Sequence, residues 1–139
     1  MSNINHQNSR YILLSEYLFI LVPFVVIVIV RSYNGSLQTL FEAPDWSFAA
    51  SILWGQTIVK LVAGGSSGTV VWQRMTLIIS AIFVFGLIPS LVTLTIMLIS
   101  ESPPIYHVYL QLILFVLASL VYFLVGSVGQ ILLDNSNNT

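Results

Sequence analysis

Cysteine is absent from all 139 residues. That excludes disulfides, thiolate metal sites and a cysteine nucleophile, and it leaves the redox compartment unread. Charge is almost as scarce. Charged side chains make up 6% of the chain, where a soluble domain typically carries about 25%. The net charge of −1 gives no reason to expect nucleic acid as a direct partner. Histidine occurs only as His6 and His107, which fall at opposite ends of the expected spans. No nucleophile–base pair, metal-ligand cluster or nucleotide fingerprint is present, so the expectation is a non-enzymatic protein with no cofactor and no metal.

What the chain has instead is long apolar runs. Hydrophobic residues make up 57% of it, and the mean hydropathy is +0.95. From Met75 to Leu133 the only formal charge is Glu101, in the break Glu101-Ser102-Pro103-Pro104. About 20 apolar residues cross the hydrocarbon core of a bilayer, so this stretch reads as a transmembrane hairpin. Two further runs lie upstream. Together they predict an all-α integral membrane protein, a single four-helix domain in an up-down arrangement with no soluble domain. The spans are placed at about 11–30, 46–63, 75–100 and 106–133. The first is too long for a signal-peptide core and ends in Val28-Ile29-Val30-Arg31 without a small-residue cleavage site. Pro23 is expected to kink it. The second span is the shortest and most polar.

The loops are short. Leu37, Leu40 and Phe41 fall on one helical face between the first two spans, which predicts a short interfacial helix capped by Ser36, with Pro44 ending it and Asp45 capping the second span. Asn34-Gly35-Ser36 has the form of a glycosylation sequon and reads as a turn. Gly64-Gly65-Ser66-Ser67-Gly68 lacks the lysine of a phosphate loop and reads as a linker. Arg10, Lys60 and Arg74 gather at one membrane side, against Arg31 at the other. The excess of positive charge predicts that both termini lie inside; the expected location is a bacterial cytoplasmic (inner) membrane.

Polar residues inside spans are costly and each is a functional hypothesis. Glu16 lies about 8 Å and Lys60 about 5 Å from the inner edge at the rise of an α-helix. Matching depth on antiparallel helices predicts that they pair. Gln56 is expected to add a hydrogen bond, and Gln130 and Asp134 to extend the cluster. Ser47, Ser51 and Gly55 recur every four residues, Gly86 and Ser90 repeat the pattern, and Gly126 and Gly129 leave a notch. Such small residues let helices approach closely. His107, Glu101, Glu42 and Asp45 form an outer acidic set that reads as a solvated rim rather than a cation site.

A chain with so little extramembrane surface is expected to act by assembling. The leading expectation is an oligomeric sensor or scaffold subunit that docks a cytosolic protein on Gly64, Gly65, Trp72 and Arg74. In outline this plan resembles the membrane component of the Kiwa antiphage system. A pore lined by Ser47, Ser51, Gln56 and Lys60 is the alternative. A third reading rests on Glu16 in Tyr11-Ile-Leu-Leu-Ser-Glu16, which resembles small multidrug resistance proteins, with four spans and a glutamate in the first. That resemblance implies proton-coupled export. The lysine in the second span, Pro23 and the long first loop depart from it.

Overall fold

The computed structural model describes residues 2–35, 37–66 and 72–137, with side chains placed over 10–35, 39–66 and 72–133. Every element among them is helical. The chain forms α1 (Ser2–Tyr33), a 3-10 turn (Leu37–Leu40), α2 (Asp45–Gly65), α3 (Trp72–Ile82), a π-helical turn (Phe83–Leu87), α4 (Ile88–Ile99) and α5 (Ile105–Asn137). Four segments are long and apolar enough to cross a membrane: Arg10–Tyr33, Asp45–Gly65, Trp72–Ile99 and Ile105–Leu133. The third joins α3, the π turn and α4 in one rod. In hydrocarbon each backbone donor and acceptor needs an internal partner, and helices supply one. The chain is a multi-pass membrane protein.

Contacts fix the relative directions. Ser47 bonds Gln111 and Lys60 bonds Gln130, in the same order along both helices, so α2 and α5 run parallel. Glu16 meets Lys60 and Phe24 meets Trp46 in opposite order, so α1 runs against α2. Gly65 faces Met75 and Trp54 faces Gly86, so the third span also runs against α2. Helices α1, α2 and the third span therefore alternate in direction, and α5 runs parallel to α2.

The shortest and most polar span is the hub. Just over half of the α2 window is buried (56%), against 11% for the apolar window of α1. Bilayer physics inverts the order found in water, because lipid accepts Val and Phe and polar groups turn inward. Ser47, Ala50, Trp54, Thr57, Leu61 and Gly64 form a buried stripe at alternating three- and four-residue steps. The α2–α5 seam is the most extensive interface in the bundle, and α1 lies mainly on α5. The sequence-based expectation set α1 directly against α2; the two touch only narrowly.

Span hydroxyls bond carbonyls one turn back: Ser51 to Ser47, Thr57 to Leu53, Ser90 to Gly86, Thr93 to Pro89 and Ser119 to Phe115, at 2.8–2.9 Å. The π turn has a local cause. Pro89 has no N–H, and its ring crowds the carbonyl four residues back. The Ile88 N–H instead reaches five residues back to Phe83, which widens the helix just before the proline. Pro23, by contrast, lies within an unbroken α1.

The first connection differs from expectation in part. The short helix expected there is a 3-10 helix over Leu37–Leu40, and Ser36, its expected cap, lies outside the described residues. Asp45 does not cap α2. Pro44 occupies that position without a side-chain cap, and Asp45 stands in the first turn, where its charge suits the helix dipole. Gly35 takes φ +67°, a left-handed conformation that lets Asn34-Gly35 turn the chain out of α1. The second loop begins later than expected. Gly64 and Gly65 complete α2, and residues 67–71 lie outside the described residues.

Candidate functional site

The main polar feature is a four-residue knot that joins three helices. Lys60 Nζ of α2 lies 2.7 Å from Glu16 Oε2 of α1. It also donates to Gln130 Oε1 of α5 at 3.0 Å. The Tyr122 hydroxyl of α5 donates to the same Glu16 oxygen at 2.8 Å. Tyr122 is fully buried. The Lys60 side chain is 10% exposed and that of Glu16 41%. The ammonium is therefore inside the bundle, and the carboxylate reaches it from the periphery. A buried cation needs both a counter-charge and hydrogen bonds for its remaining protons. Glu16 supplies the first and Gln130 part of the second.

The glycines make this geometry possible. A Cβ on Gly129 would stand 2.6 Å from the Lys60 carbonyl oxygen, and one on Gly64 would run into the Gly129 backbone. Only backbone fits between α2 and α5 there. Gly126 is buried against Leu13, Lys60 and Tyr122 at ordinary distances. A Cβ on Gly86 would lie 2.5 Å from the Trp54 ring. Ser47, Ser51 and Ser90 are buried inside the same bundle. These small residues therefore pack the chain against itself. Gly55 differs: nothing lies within 4 Å of the position its Cβ would take.

Gln56 departs from expectation. It is exposed and makes no hydrogen bond to the knot. Depth along the membrane normal matched it to Glu16, but its direction around α2 does not. The Asp134 side chain lies outside the described residues. The expected docking residues also divide. Gly64 and Gly65 are buried packing positions, whereas Trp72 and Arg74 are exposed.

A second polar knot, not foreseen from the sequence, lies toward the opposite end. Gln111 of α5 is fully buried. Its Oε1 accepts from Ser47 Oγ at 3.2 Å, and its Nε2 donates to the Phe41 carbonyl at 2.6 Å. Trp46 Nε1 donates to the Leu40 carbonyl at 3.0 Å, and the Trp46 ring stacks on Phe41. The Arg31 guanidinium bonds the Thr39 hydroxyl and carbonyl. The first loop is thus tied to three helices. Tyr17 and Ser119 share a further hydrogen bond at 3.1 Å between α1 and α5.

Among the described residues, two side-chain polar atoms are buried without a partner, Trp54 Nε1 and His107 Nδ1. Among the described residues no three His, Asp or Glu side chains gather to hold a metal ion. Glu42 and Glu101 do line a common cleft, and His107 and Asp45 are not part of it.

No protein-family model, curated protein or solved structure matches this chain.

Proposed function

We propose that the chain is a non-enzymatic membrane subunit that works by assembling with copies of itself and with a cytosolic protein, in a bacterial inner membrane with both termini inside. One observation carries this reading. Glu16 and Lys60, charged residues set in from the span ends, bond each other, while the α1 window is left 11% buried. The polar groups hold one protomer together, and the outward apolar surface of α1 is one that lipid or a second copy can cover. Trp72 and Arg74, both exposed beyond the Lys60 end of α2, are the residues best placed for a cytosolic partner. The Kiwa-like plan of a membrane subunit with a soluble partner fits this arrangement.

The pore reading draws less support. Ser47, Ser51 and Lys60 are buried with internal partners, and Gln56 alone of that set is exposed. The exporter reading meets a similar difficulty, since Glu16 is held by both Lys60 and Tyr122.

The test is purification of the tagged chain from its native host in mild detergent, followed by native mass measurement. Homo-oligomers carrying a soluble protein are expected. A monomer with nothing attached overturns the proposal. Orientation is read on the same cysteine-free background, where Glu101→Cys should react with an impermeant maleimide in intact cells and Arg74→Cys should not.

A further inference from the structure

The cleft between the first loop and the start of α5 has a volume of about 570 Å³, within the range of small-molecule sites. Ile105, Val108, Tyr109 and Leu112 line one wall. Their spacing of three, one and three residues puts them on one face of α5. Phe41 also lines the cleft, and Glu42 and Glu101 come from the two loops that border it. Neither carboxylate has a hydrogen-bond or ion-pair partner among the described residues.

We infer that this cleft binds a small amphipathic organic cation, with the ammonium between Glu42 and Glu101 and the apolar portion along the α5 face. The inference stands apart from the subunit reading. Three features select this occupant. Two carboxylates without internal partners favour a positive head. Phe41 and Tyr109, both in the lining, are aromatic rings of the kind that attract a quaternary ammonium. The Ile105–Leu112 face suits an alkyl or aryl tail and gives a simple metal ion no ligands. The site is also held open in advance. Gln111 pins the Phe41 carbonyl to α5, and Trp46 stacks on the Phe41 ring, so little ordering is left to occur on binding.

The test titrates octyltrimethylammonium into the full-length chain in neutral maltoside micelles, read by calorimetry. Saturable binding of one cation per chain is expected, and octanol, with the same tail and no charge, should show none. The double variant Glu42→Gln/Glu101→Gln changes two exposed side chains and should melt like the wild type while binding about tenfold more weakly. Tyr109→Leu keeps both carboxylates and should weaken binding about threefold. Wild-type affinity in the double variant, equal saturable binding of octanol, or unsaturable uptake of the cation overturns the inference. So does retention of phosphatidylethanolamine that the probe fails to displace, which would give the cleft to the bilayer.

Discussion

Glu16 and Lys60 meet at 2.7 Å from two helices that otherwise touch only narrowly. The pair is asymmetric, because the ammonium is enclosed and the carboxylate is nearly half exposed. Removing the carboxylate strands a buried cation. Removing the ammonium leaves an anion that can still reach water or headgroups. Glu16→Gln is therefore expected to destabilise more than Lys60→Met, by about 1–3 kcal/mol against about 1 kcal/mol, after discounting the exposed partner. Thermal melting in detergent checks the order. The exchanged pair Glu16→Lys/Lys60→Glu should recover much of the loss caused by either single exchange.

Gly129 and Gly55 give opposite expectations for the same substitution. Gly129→Ala drives a methyl into the Lys60 carbonyl, where backbone cannot give way, and α2 must leave α5. A loss of about 2 kcal/mol or more is expected, at the severe end of overpacking. Gly55→Ala enters open space in mid-helix and should be neutral, or stabilising by up to about 1 kcal/mol. Folded yield by size-exclusion chromatography separates the two.

These glycines show how far the sequence could be read. Their size and spacing announced close packing, and the matching depth of Glu16 and Lys60 announced the pair. Depth along a helix follows from residue count alone. Which side of a helix turns inward does not when apolar residues cover every side, so Gln56 was matched to the knot by height and is exposed instead. Gln111 and Tyr122 went unnoticed for a related reason. Each is a lone polar side chain set within the long apolar run of α5, with no periodic pattern to show which way it faces. Gly64 and Gly65 were read as the start of a linker because glycine often ends helices. In lipid, a pair of glycines also serves as a flat packing surface.

Trp54 should tolerate replacement better than its size suggests. Its indole N–H is buried without a partner, which is itself a cost. Trp54→Phe gives up apolar area but removes that orphan donor and frees space beside Gly86. The variant should lose less than the roughly 3–5 kcal/mol typical of deleting a large aromatic side chain outright. Gly86→Ala alone should be disruptive, and less so when combined with Trp54→Phe. A double-mutant cycle on melting temperature measures the coupling.

Gln111→Leu fills the same region but unties the first loop. Both the Ser47 hydroxyl and the Phe41 carbonyl lose their bonds to it. A cost of about 1–3 kcal/mol is expected from the unsatisfied groups. The more specific result is faster proteolysis between residues 34 and 43, with the spans themselves left intact.

The π turn sets a phase. With five residues filling the turn between Phe83 and Ile88, α4 is rotated relative to α3 by nearly the 100° that one residue occupies in an α-helix. A single-residue deletion within 83–87 that restored regular α-helix would turn the whole of α4 by that angle, carrying Ser90, Thr93 and Met97 from the bundle interior toward lipid. A one-residue length change here thus acts as a rotation, displacing side chains several turns away. The length of this span is for that reason as much a part of its specification as the residues it contains.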